Sequence, residues 1–296
     1  MLQPAFGVIG TKKLTNGIND RETFPLSTLF FKKERDCMFL KLYFARILKD
    51  RLKLTIIVFL LFIPIAEVGQ LAFEVFVKGY SMPNPDFATF LALYTLRHRL
   101  HRLMFWYLPL FLLPVVTEDS LEDKEIGYGN GLTVRIGRSA YLKQKMIGSF
   151  LFSFCLITVS LLINMALVYL LFHDGTFERD EMLRQIFAER DLTRITVPYP
   201  VATNIIYILI TAALAGMIAM VGTSLALTVN SRKVVYALTF LFWFLPVQLS
   251  PSLMLVIQPF LFVNWEQIVP TLVSVIFAWG AVIVAVWIME VRNDRL

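Results

Sequence analysis

The chain has 296 residues, 57% of them hydrophobic and only 17% charged, with a mean hydropathy of +0.66. A soluble domain carries about a quarter charged residues, so composition excludes an ordinary soluble globular class and the long apolar runs point to an all-α, polytopic membrane protein. A formal charge of +6 would suit nucleic acid, but all 28 Lys and Arg lie outside the apolar runs, so the basic balance reads as membrane topology and no nucleic-acid partner is expected.

Residues 1–37 show no clear period and no N-terminal secretion signal. They read equally as an upstream extension or an ordinary cytoplasmic tail. From Met38, MFLKLYFARILKDRLK alternates apolar and basic residues at helical spacing. That predicts an amphipathic helix on the inner membrane surface, with Lys41, Arg46, Lys49 and Lys53 towards lipid phosphates. Residues 38–296 then hold six predicted crossings: Leu54–Val77, Leu103–Thr117, Met146–Phe172, Val201–Val229, Val234–Leu249 and Thr271–Met289. Between the last two, SPSLMLVIQPFLFVNWEQIVP is apolar but interrupted by Pro251, Pro259 and Pro270, the pattern of a re-entrant or interfacial hairpin.

With the N-terminus inside, inner segments hold twenty Lys and Arg against eight outside, which places both termini in the cytoplasm. LRHRLHR at 96–102 runs against this rule, and snorkelling to outer headgroups accommodates it. The stretch from His173 to Pro200, with six acids and four Arg, predicts a partly helical external element. Cys37 and Cys155 support neither a disulfide framework nor a metal spacing.

Polar residues inside the crossings need a reason. Glu67, Gln70 and Glu74 recur at spacings of three and four, on one helix face. A carboxylate in hydrocarbon costs ~2.5–3.5 kcal/mol, so it faces protein or water. Either this face is part of a substrate route, with Asn164 of the third crossing a further candidate, or Pro64 ends the deep part of the helix and Glu74 sits at the headgroups. Asn164 also reads as interhelical glue. In the fourth crossing Ala212 and Gly216, Ala215 and Ala219, Gly222 and Ala226 repeat small-x-x-x-small, a close-packing face. Trp106, Trp243, Trp265, Trp279 and Trp287 read mostly as interfacial anchors. His98 and His101 could hold a metal at i, i+3, but their arginine-rich setting repels cations, so no metal site is expected; with no H-E-x-x-H, no catalytic residues are assigned either.

The most informative segment is EDSLEDKEIGYGNGLTVRIGRSAYLKQK, residues 118–145. It is acidic, then glycine-rich, then basic, and topology puts it inside the cell. SLEDKE can extend the second helix, GYGNG breaks it, and LTVRIGRSAYLKQK leads into the third crossing. Such a helix–break–helix shelf suits a docking soluble protein; it reads otherwise as a solvated loop whose charges only enforce topology.

These residues resemble the ABC-2 type transporter permeases. That family has an acid, one residue, then Gly, followed about a dozen residues on by a Ser-Arg pair and a Lys opening the next helix. Here Glu125, Gly127, Arg138 and Lys145 match, with Tyr141 between the last two, while Tyr128 stands where Thr is usual. The resemblance implies a six-helix transmembrane domain over 38–296 and a coupling helix at Glu122, Glu125, Gly127, Arg138, Tyr141 and Lys145. It further implies two copies of a separate ATPase subunit and a homodimer or a heterodimer with a sister permease. No G-x-x-x-x-G-K-[ST] occurs in the chain, so ATP and Mg are expected on the partner and none in this chain. The expected function is the permease half of an exporter of peptides, drugs or lipid-linked molecules in a bacterial cell membrane. The alternative is an ion-coupled carrier or channel built on Glu67.

Overall fold

The structure, a computed structural model, describes residues 40–79, 89–93, 98–173, 195–260 and 265–293. The expectations for residues 1–37 and for the 174–194 loop lie outside these. Among the described residues the regular structure is helical throughout, with no strand. Helix α1 covers 40–49 and stops at Asp50, whose carboxylate accepts from the Leu52 amide at 2.9 Å and so caps α2, Arg51–Ala72. α2 runs on through a π-helical turn, Phe73–Val77. A series of short helices follows: α3 Arg99–Trp106, α4 Leu108–Val116, α5 Glu118–Glu125 and α6 Tyr128–Ile136. The rest is α7 Arg138–Leu171, α8 Pro200–Thr228, α9 Arg232–Gln248, α10 Leu253–Ile257 and α11 Trp265–Asn293.

Four helices are long and apolar enough to cross a membrane: Arg51–Val77, Arg138–Leu171, Pro200–Thr228 and Trp265–Arg292, of 27, 34, 29 and 28 residues. At roughly 1.5 Å per residue each exceeds a hydrocarbon core about 30 Å thick. Their outward faces carry exposed Phe59, Phe62, Leu162, Ile206 and Phe277, an oily surface that only lipid or another apolar partner accepts. The other two predicted crossings take different forms. The second is divided at Tyr107 into α3 and α4, and the fifth, α9, has 17 residues, roughly 26 Å of helix. Two predicted boundaries move outward: α7 already begins at Arg138, and α11 begins at Trp265 with Pro270 inside it. Hydropathy sees only the oily window, whereas a helix continues through the charged turns at either end.

Proline placement organises the bundle. A proline has no N–H, so the carbonyl four residues earlier loses its helical donor, and in an apolar medium another donor must replace it. Pro64 frees the Leu60 carbonyl, and the Ser160 hydroxyl of α7 donates to it at 3.3 Å. The Phe105 carbonyl is left open where α3 ends ahead of Pro109, and the Trp243 indole of α9 donates to it at 2.7 Å. Pro246 frees the Phe242 carbonyl, to which the Trp279 indole of α11 donates at 3.1 Å. Trp243 and Trp279 are therefore not interfacial anchors. They are 0% and 1% exposed, lie against each other with ring centroids 5.8 Å apart, and tie three helix layers together.

α8 sits at the centre. Its Ala212, Ala215, Ala219 and Ala226 are fully buried, and a Cβ added at Gly216 would stand 2.8 Å from the Phe150 ring and 3.0 Å from the Phe150 carbonyl of α7. One added at Gly222 would meet Leu113 of α4 at 2.4 Å and Thr239 of α9 at 3.2 Å. The predicted small-residue face is thus the surface on which α4, α7 and α9 close up. α10, in the predicted hairpin, buries Leu253, Met254, Val256 and Ile257 against α8, α9 and α11.

Candidate functional site: the hub at α5 and α6

α5 is eight residues long, EDSLEDKE, and each of its charged side chains has a partner on another helix. Asp119 and Asp123, spaced i, i+4, face the interior. Asp119 accepts from Lys53 of α2 at 2.5 Å and lies 3.2 Å from Arg46 of α1. Asp123 accepts from Arg46 and from Lys145 of α7, each at 2.6 Å. Lys53, Asp119, Asp123 and Lys145 are all 3% exposed or less. The outer acids face α9, where Arg232 lies 2.8 Å from Glu118 and 2.8 Å from Glu125 and the Tyr236 hydroxyl donates to Glu118 at 3.0 Å. Glu122 lies 3.7 Å from Arg46. Lys124 donates to the Leu227 and Thr228 carbonyls, each at 3.1 Å, closing the C-terminal end of α8, where a helix leaves carbonyls without partners.

Aromatic rings line this network. Lys145 lies over the Tyr43 and Tyr141 rings at 5.6 and 5.9 Å. The Tyr43 hydroxyl donates to the Val116 carbonyl at 3.0 Å, where the chain bends between α4 and α5. Burial first, and then Asp119 and Asp123, push the Tyr43 phenol well above its ordinary range, so it stays a donor. Burial likewise pulls the Lys124 ammonium down.

α6 follows a break at Gly127, whose φ of +74° is the left-handed conformation that glycine adopts without strain. Of the predicted GYGNG break only Gly127 breaks the helix; Gly129 and Gly131 lie inside α6. Gly137, φ +83°, separates α6 from α7. Ile126, Tyr128 and Val134 are 77%, 56% and 88% exposed beside the most charged part of the molecule.

The structure thus divides the predicted coupling residues. Glu122, Glu125 and Gly127 lie at the surface end of the hub. Tyr141 and Lys145 are buried in it, and Arg138 turns to Glu290 at the end of α11, with Nε 3.0 Å from the carboxylate and a second contact from Nη2. Of the basic face predicted over 38–53, Lys41 and Lys49 are exposed, whereas Arg46 of α1 and Lys53 of α2 turn inward to acids. Asp119, Asp123 and Tyr43 were missed as functional candidates; the i, i+4 acid pair in a predicted helix was the available signal.

The predicted pathway residues Glu67, Gln70 and Asn164 lie on α2 and α7, two of them buried with partners on neighbouring elements. Asn164, 1% exposed, donates to the Pro64 carbonyl at 3.2 Å, one turn beyond the Ser160 contact, and so acts as interhelical glue. Gln70 is half-buried. Glu67 is 0% exposed, and one of its oxygens accepts the Leu100 and His101 amides at 2.9 and 3.3 Å, so it caps α3 from across the bundle. A cavity of about 540 Å³ between α9 and α11, lined by Phe242, Pro246, Ser274 and Trp279, includes none of the three.

The chain is similar to the uncharacterized protein YybM of Bacillus subtilis (strain 168), with 28% identity over 251 residues, 84% of this chain and 97% of that protein. No protein-family profile matches it. No solved structure matches it.

Proposed function

We propose that the chain is the membrane-spanning permease subunit of an ATP-driven exporter, with α5 and α6 as the coupling element that a separate ATPase subunit engages from the cytoplasm. In this reading α3–α4 and α9 complete six crossings, α10 and its flanks form the re-entrant hairpin, and both termini face inward. The observation that carries it is the hub: one eight-residue helix holds α1, α2, α7, α8 and α9 through its charged side chains. A push on α5 reaches five helices through its own side chains, which is what a mechanical input to a bundle requires. The exposed Ile126, Tyr128 and Val134 offer the apolar contact such a partner would bury. A charged cleft of about 640 Å³ along α5, lined by Asp50, Glu118, Glu122, Arg232 and Lys233, offers polar contacts. In the carrier or channel reading Glu67 would carry the ion, and one of its oxygens is engaged as the cap of α3.

The full chain, affinity-isolated from its own host in mild detergent, is expected to bring down a MgATP-hydrolysing polypeptide. Ile126→Asp with Val134→Asp should weaken that association at least about tenfold, since charges placed at apolar anchors are poorly tolerated, while the chain keeps its elution volume. Wild-type chain isolated with no ATPase, or a variant that retains it fully, would count against the reading.

A further inference from the structure

Glu67, His98 and His101 come together in the interior, each offering one ligand atom, with these atoms all within 4.8 Å of one another. The three are 0%, 4% and 1% exposed. They come from two elements: Glu67 from α2, and His98 and His101 from the first turn of α3 and the residue before it. His98 Nδ1 lies 3.2 Å from Glu67 Oε1, while Glu67 Oε2 is occupied by the α3 amides. Capping accounts for the carboxylate but not for His101. Both of its ring nitrogens are buried without a hydrogen-bond partner among the described residues, and its ring lies against Phe105, centroids 6.3 Å apart. A buried imidazole with two orphan nitrogens is costly unless something binds it.

We propose that Glu67, His98 and His101 form a binding site for a divalent transition-metal ion of the zinc class, joining α2 to the start of α3. Two imidazoles and a carboxylate are the donor set for such ions, with a fourth position left to water. Bond lengths of about 2.0–2.2 Å set donors in a tetrahedral site roughly 3.4 Å apart; the His98–Glu67 separation already meets this, and rotation of the His101 ring brings in the third donor. Glu67 held by backbone amides is also the kind of oriented carboxylate that outer hydrogen bonds create around metals. Two of the arginines that argued against a metal in the sequence are turned aside: Arg99 is exposed, and Arg102 donates to the Leu93 carbonyl at 2.9 Å. The buried negative charge that offsets them lies 31 residues before His98, where sequence spacing could not connect it.

The test uses the full chain, purified without a histidine tag and stripped with chelator. Co²⁺ titration should give one equivalent per chain, with the visible absorption bands of a four- or five-coordinate ion, displaced by Zn²⁺. Zn²⁺ should also raise the melting temperature. His101→Asn, chosen because His101 holds no other group, should weaken Co²⁺ binding at least about tenfold and abolish the Zn²⁺ effect on melting, with elution unchanged. Should that variant not fold, the wild-type titration alone decides. No stoichiometric Co²⁺ or Zn²⁺ binding to wild type, or equal binding to the His101→Asn variant, overturns the site.

Discussion

Asp123→Ala is expected to lower the stability of the detergent-solubilised chain by about 3–5 kcal/mol, the range for removing one member of a buried ion pair. Lys145 is 3% exposed, and its ammonium is 2.6 Å from Asp123. Without that carboxylate a cation remains in a desolvated site, with only the tyrosine faces and the more distant Asp119 to balance it. The informative control is the double variant Asp123→Leu with Lys145→Met. Apolar residues of similar volume often replace a buried pair at little cost, so the double variant should regain most of the loss. Melting curves by fluorescence-detected size exclusion check both. A single variant as stable as wild type, or a double variant no better than the single, would show that the pair does not hold the hub together.

Trp243→Phe should cost about 1–3 kcal/mol beyond any change in packing, because the Phe105 carbonyl is left buried without a donor. That cost has a specific cure. Pro109→Ala gives residue 109 an N–H, the donor that the Phe105 carbonyl meets once α3 and α4 join across Tyr107 into one helix. Measured as a thermodynamic cycle, Pro109→Ala should therefore help more in the Trp243→Phe background than in wild type. Equal effects in both backgrounds would show that the indole bond and the missing amide are independent.

Much of the fold was legible because oily length is a one-dimensional signal: α2, α7, α8 and α11 are continuous runs, and the small residues of α8 announce a close-packed face. Helix ends were less legible, since Arg138–Lys145 and Trp265–Pro270 are helical for reasons that hydropathy does not weigh. The second predicted crossing hid its division because Tyr107 and Pro109 are apolar enough to pass unnoticed in a window. The site was the least legible part. Lys53 and Asp119 are 66 residues apart and Arg46 and Asp123 are 77 apart, and nothing in sequence distinguishes a lysine facing headgroups from one facing a buried acid. The tryptophans misled for the same reason, as their ordinary place in membrane proteins is the interface.

The carbonyls left open by prolines and by the break at Tyr107 also impose an order in time. In each case the acceptor is translated before its donor: Leu60 before Ser160, Phe105 before Trp243, Phe242 before Trp279. A chain emerging from the ribosome thus carries open backbone sites that only later segments can close. The last of the three waits for α11, so the tie between α9 and α11 forms only after that helix is made.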